Sequence, residues 1–260
     1  DAIYPIVFAY AGQDTALVEI KANDGQPIDN ALMYGKIHGR KTDENGSGLA
    51  GAKIGLFRPG ETEFNEDTAI LTDVSDENGG FSFTGVPIGN WVVREIAAPT
   101  GYVLCEQAYP VCVDENGAVI ELEIANVLIR GSVQTTKTDK DYPENKLTGA
   151  EFTVYRDTDS NGKLTDADEM LGTLAETTPG VYEMDRLIYG RYFLKETKAP
   201  QGFRLDENAY LFAIAENGKT VVVETEAGKG FVNGAQTGNL HIQKTSDDNV
   251  LQGFTFKVEG

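Results

Sequence analysis

The chain has 260 residues, 40% of them apolar, and 41 acidic against 22 basic side chains give a formal charge of −19. That length has room for more than one domain with its own core, while the charge would repel nucleic acid and anionic lipid and is read most plainly as solubility. No apolar run is long enough to span a bilayer, and no basic-then-apolar leader opens the chain, so an export signal is expected outside this segment.

Long helical periodicity is absent. Short alternating runs separated by Gly, Asn, Asp and Pro predict an all-β, sandwich-like protein. Residues 1–34 read as the closing strands of a repeat, with Tyr4-Pro5 echoing Tyr109-Pro110 and with Asn30 near the end. A first full unit, 35–130, carries Lys41-Thr42-Asp43, then Leu49-Ala50-Gly51-Ala52, then the run Trp91 to Tyr102 with Glu95, Pro99 and Gly101, and finally Asn126. Its Cys105 and Cys112 lie in a stretch that reads as strand, turn, strand, where a disulfide and two buried thiols are both open.

A second full unit, 131–237, carries Lys137-Thr138-Asp139, Leu147-Thr148-Gly149-Ala150, the run Tyr192 to Phe203 with Glu196, Pro200 and Gly202, and Asn233. Residues 238–260 begin again with Lys244-Thr245 and Leu251-Gln252-Gly253-Phe254, as the first strands of a following repeat. Asn-Gly pairs at 78–79, 116–117 and 217–218 predict tight hairpin turns. One spacing ties the pieces together. Asn30 and Lys41, Asn126 and Lys137, and Asn233 and Lys244 are each eleven apart (41−30, 137−126, 244−233), and Gly35, Gly131 and Gly238 follow each asparagine by five. A fixed period predicts a tandem array, and the broken units at both ends predict a segment of a longer one.

Strand parity puts three polar groups per unit on apolar faces. Lys41 shares its face with Ile37, Lys137 with Val133, and Lys244 with Leu240 and Ile242. Glu95 falls in phase with Trp91 and Val93, and Glu196 with Tyr192 and Leu194; Asn126 ends the run Ile120, Leu122, Ile124, while Asn233 is placed by Phe231 alone. An unpaired charge there costs roughly several kcal/mol. Two arrangements meet the requirement: a buried Lys–Glu ion pair with Asn hydrogen-bonded beside it, or a covalent bond between lysine and asparagine. Desolvation lowers a lysine pKa and raises a glutamate pKa, which would leave a nucleophilic amine and an acid able to move protons.

These motifs resemble the Cna B-type, SpaA-like pilin domains of Gram-positive surface proteins. The matching parts are Lys-Thr-Asp, Leu-x-Gly-Ala, Glu-x-x-Ala-Pro-x-Gly-aromatic, and a terminal strand with Asn. The resemblance covers nearly the whole chain and implies tandem transthyretin-like β-sandwiches. It also implies Lys41–Asn126 and Lys137–Asn233 isopeptide bonds, with Glu95 and Glu196 as catalytic helpers. The expected role is a stalk segment of an adhesin or pilus-like protein outside a Gram-positive cell, with neighbouring repeats as partners and no cofactor required for the bonds. Ile96 stands where unit two has Thr197. Asn30 and Lys244 belong to incomplete repeats with no bonding partner expected within this chain; a Lys244–Asn30 bond between neighbouring molecules is disfavoured, because no glutamate-bearing strand accompanies either fragment.

One further motif stands apart. Asp157, Asp159 and Asn161 occupy positions one, three and five of a calcium-type loop, Gly162 position six, Lys163 and Thr165 positions seven and nine, and Asp168 position twelve. Calcium at 157–168 and an ordinary solvated acidic loop are both open; residues 61–67 of unit one lack the pattern. Two alternatives to the stalk remain: an adhesin module recognising a host protein or glycan, and a sortase-polymerised pilin. For the latter, Tyr142-Pro143-Glu144-Asn145 lacks the donor lysine and no Leu-Pro-x-Thr-Gly occurs. An enzyme acting on outside substrates is least favoured. There is no Ser-His-Asp set and no phosphate loop, and the two histidines, His38 and His241, read as exposed strand residues.

Overall fold

The computed structural model describes residues 32–245 and 255–257, so Asn30 lies outside the described residues. The chain divides into two compact units, Asp1–Val127 and Leu128–Gly260. All regular structure among the described residues is β, confirming the all-β sandwich class.

In unit one the strands are β1 (Tyr34–Thr42), β2 (Lys53–Phe57), β3 (Leu71–Val74), β4 (Gly80–Pro87), β5 (Gly89–Ala97), β6 (Tyr109–Val113) and β7 (Val119–Ala125). They form two sheets, ordered β4-β1-β7 and β3-β2-β5-β6. The alternation that defines each strand fills the space between them: Ile37, Phe81, Phe83, Val86 and Ile124 from one sheet meet Ile54, Leu56, Val93, Val111 and Val113 from the other.

Unit two repeats the plan with β8 (Arg130–Asp139), β9 (Glu151–Arg156), β10 (Glu169–Thr173), β11 (Ala175–Thr178), β12 (Val181–Ile188), β13 (Gly190–Lys198), β14 (Ala209–Ile214), β15 (Thr220–Val222) and β16 (Phe231–Asn233). One sheet runs β11-β12-β8-β15 with β16 also on β8, and the other runs β10-β9-β13-β14. Its core is more aromatic, with Phe152, Tyr182, Tyr192, Phe212 and Phe231 all buried.

In each unit the first and last strands are parallel neighbours. Lys36 through Thr42 pair with Val119 through Ala125, so Lys41 stands opposite Ile124. In unit two the last strand is interrupted. Val222 pairs with Gln134 and Phe231 with Lys137, leaving residues 223–230 opposite only Thr135 and Thr136.

The three Asn-Gly pairs do form tight turns, with Gly79, Gly117 and Gly218 at φ of 82–83° or 74°. They do not close hairpins, because the strands they join lie in different sheets: β3 and β4, β6 and β7, β14 and β15. Positive φ sets where the chain reverses; strand pairing is decided elsewhere. Asn116 and Asn217 instead accept hydrogen bonds from the amides of Tyr34 and Arg130 at 3.1 and 3.0 Å, fastening these turns to the start of the first strand. The repeat glycines sit at that junction. A Cβ on Gly35 would lie 2.8 Å from the Ala118 carbonyl oxygen, and one on Gly131 would lie 2.6 Å from that of Lys219.

Candidate functional site

Among the buried polar residues are two matching sets, each of one lysine, one glutamate and one asparagine. Lys41, Glu95 and Asn126 are 0, 1 and 2% exposed, and Lys137, Glu196 and Asn233 are 0, 0 and 3% exposed. Each set is assembled from three strands. Lysine comes from the first strand, asparagine from the residue just after β7 or the last residue of β16, and glutamate from the facing sheet on β5 or β13.

The geometry repeats between units. The Lys41 amine lies 3.7 Å from Glu95 Oε1 and donates to the Ile124 carbonyl at 3.0 Å. The Lys137 amine lies 3.4 Å from Glu196 Oε1 and donates to the Phe231 carbonyl at 3.0 Å. Asn126 Nδ2 donates to Glu95 Oε1 at 2.9 Å, and Asn233 Nδ2 donates to both Glu196 oxygens at 2.8 Å. In unit two the amine also sits over the Phe231 ring, 4.8 Å from its centroid.

Burial dominates the electrostatics. It lowers Lys41 below the usual lysine range and brings Lys137 down to about 8, while it raises Glu95 above the usual carboxylate range. Both shifts in unit one favour the neutral pair, amine and carboxylic acid. Asn126 Oδ1 is buried and accepts no hydrogen bond. A half-turn of the amide places that oxygen against Glu95, where it is satisfied only if the carboxyl carries a proton.

Parity reasoning missed the backbone support of the glutamates. The amide of Cys105 donates to Glu95 Oε2 at 2.7 Å, and that of Asp206 donates to Glu196 Oε2 at 2.8 Å. Four residues on, Tyr109 and Tyr210 contact the side chains of Cys105 and Asp206 at 3.7 and 2.6 Å. The signal was present as a spacing. The supporting residue follows its glutamate by ten in both units (105−95, 206−196), and the tyrosine by fourteen (109−95, 210−196).

The cysteine expectations are corrected. Both thiols are free; Cys105 is half-buried in the loop before β6, and Cys112 is exposed because Val111 and Val113 take the inward positions of that strand. Lys244 is not on a buried strand face either. Among the described residues 238–245 there is no strand to pair with, Leu240 and Ile242 are exposed, and the Lys244 amine donates to the Thr245 carbonyl. His38 and His241 are exposed. Tyr142 to Asn145 form a solvent-facing turn closed by the Asn145 amide on the Tyr142 carbonyl. The calcium-type loop connects β9 to β10 and draws carboxylate oxygens of Asp157, Asp159 and Asp168 within 4.8 Å of one another.

Residues 35–127 and 131–229 each match SpaA, the prealbumin-like fold domain. The chain belongs to the SpaA family. Among solved structures, this SpaA-family chain is similar to the Bacillus anthracis TIE protein, with 27% identity, a TM-score of 0.63, and coverage of 78% of this chain and 34% of that one. The chain therefore spans about a third of that protein's length. It is also similar to a streptococcal ancillary pilin (21% identity, TM-score 0.37, 91% and 72% coverage). A third is BcpA, the major pilin subunit of Bacillus cereus (16% identity, TM-score 0.32, 78% and 100% coverage). No curated protein matches the chain. No helix among the described residues is long and apolar enough to cross a membrane.

Proposed function

We propose that this chain is a stalk segment of a pilus-like or adhesive protein on a Gram-positive cell surface, with each SpaA unit closed by a Lys–Asn isopeptide bond. The observation that carries this reading is the buried Lys–Glu–Asn set found twice, each bridging the first and last strands. The neutral lysine amine attacks the asparagine Cγ, which the protonated glutamate polarises through Oδ1. A new N–Cγ bond forms, the Cγ–Nδ2 bond breaks, and glutamate carries the proton from the amine to the departing nitrogen, which leaves as ammonia. Packing supplies the effective concentration, so no external enzyme is required. This is one turnover on the protein itself, in keeping with a structural role.

Intact mass tests it directly. The folded chain is expected to be lighter than its sequence by two ammonia molecules, the E95A and E196A variants by one each, and the double variant by none. A wild-type mass equal to the sequence mass would leave two buried ion pairs and no covalent closure.

A further inference from the structure

The connection between β9 and β10 contains a buried charge without hydrogen bonds. The Asp157 side chain is fully buried, and neither carboxylate oxygen accepts a hydrogen bond. Its amide donates to the Arg191 carbonyl at 3.0 Å, which fixes the residue against β13. An ionised carboxylate so placed is destabilising by several kcal/mol, on the order of the cost of any unpaired buried ion, unless a cation faces it.

The nearest cation is the Arg191 guanidinium, whose Nε lies 3.3 Å from Asp157 Oδ2 without forming a hydrogen bond. The arginine side chain is 41% exposed, and its Nη1 reaches only the Ser160 carbonyl, at 3.4 Å. It leans across the loop, so that a Cβ on Gly162 would lie 3.0 Å from Nη2. Asp157 thus has a loosely held partner with open solvent behind it.

Around this carboxylate the loop converges further oxygens. Asp159 and Asp168 bring theirs within 4.8 Å. The amides of Thr165 and Thr158 donate to Asp168 at 2.8 and 3.1 Å, holding its carboxyl below the usual range and its orientation fixed. Asn161 Oδ1 accepts from the Lys163 amide at 2.7 Å, completing the turn at Gly162. Three carboxylates at this separation repel one another in the absence of a divalent ion.

Unit one fills the corresponding β2–β3 connection differently. There Phe64 packs edge-on against Phe57 at 4.9 Å, with the Arg94 guanidinium 4.4 Å from its centroid. The loop is closed by an aromatic ring, and no carboxylate is buried in it.

We propose that the 157–168 loop of unit two is a calcium site, in which the ion is held by Asp157, Asp159, Asn161 and Asp168 and displaces Arg191 from Asp157. All the donors are oxygens, which suits a hard cation of calcium's size and flexible coordination. The flanking elements are antiparallel strands, Glu169 pairing with Arg156, so binding would lock the edge of the β10-β9-β13-β14 sheet.

Calorimetric titration of calcium chloride into the EDTA-treated 260-residue chain tests the site. One ion per chain is expected, with a dissociation constant on the order of 10⁻⁴–10⁻³ M, as for extracellular modules. Asp159 is exposed and hydrogen-bonds only to Asn161, so D159N keeps the fold, and equal melting temperatures in EDTA verify that. D159N should weaken binding about tenfold or more, and R191Q should tighten it severalfold by removing the competing charge. No saturable heat, undiminished affinity in D159N, or weaker affinity in R191Q would each overturn the assignment.

Discussion

A lysine amine inside a β-sandwich is held there by what surrounds it, and the pH dependence of each unit follows. Lys137 is brought by burial from its ordinary 10.5 to about 8. In an N233A variant, which cannot form the bond, the folded chain binds fewer protons than the unfolded chain between those values. Stability is therefore expected to rise with pH across about 8 to 10.5, and to be lost as pH falls through about 8. Urea titrations of N233A at pH 7 and pH 10 should differ by on the order of 3 kcal/mol, and equal midpoints would mean a solvated amine. The inward direction of Lys41, Lys137, Glu95 and Glu196 was legible because each lies two or four residues along its strand from a buried apolar residue, Ile37, Val133, Val93 and Leu194 respectively. The orientation of Cys112 was not. Its neighbours Val111 and Val113 are apolar as well, and apolar–cysteine alternation carries little contrast.

At the level of strands and turns, local signals and long-range pairing separate. The Asn-Gly turns were visible in the sequence, yet their strands pair with partners in other sheets, and pairing at that range leaves no local mark. Asn233 was hard to place for a related reason. The excursion at 223–230 interrupts the alternation before β16, leaving only Phe231 to set the phase. The repeat glycines were recognised by spacing, whereas their cause is the close passage of the chain after each Asn-Gly turn. A G131A substitution should therefore be destabilising by about 1–3 kcal/mol, since its methyl group meets the backbone carbonyl of Lys219 at 2.6 Å. A urea midpoint unchanged from wild type would show that the strand can shift at no cost.

For the molecule as a whole, the proposed bonds decide how it answers a pull from its ends. With both bonds intact, single-molecule stretching should give no unfolding step from either complete unit. The K41A and K137A variants should release the 84 and 95 residues between bonded positions (126−41−1, 233−137−1), each extending by roughly 3.5 Å per residue. Releases of that length in the wild type would end the mechanical proposal. The parallel register of β1 and β7 has a further consequence. With the proposed Lys41–Asn126 bond in place, a force entering at Tyr34 would travel only as far as Lys41 before crossing to Asn126, and the intervening chain from Thr42 to Ala125 would be a slack side-loop. Everything on that detour, including β2 to β6 and their connections, would then be relieved of mechanical duty. It could diverge in sequence, acquire insertions or take on a ligand while the tether stays as strong as its single amide.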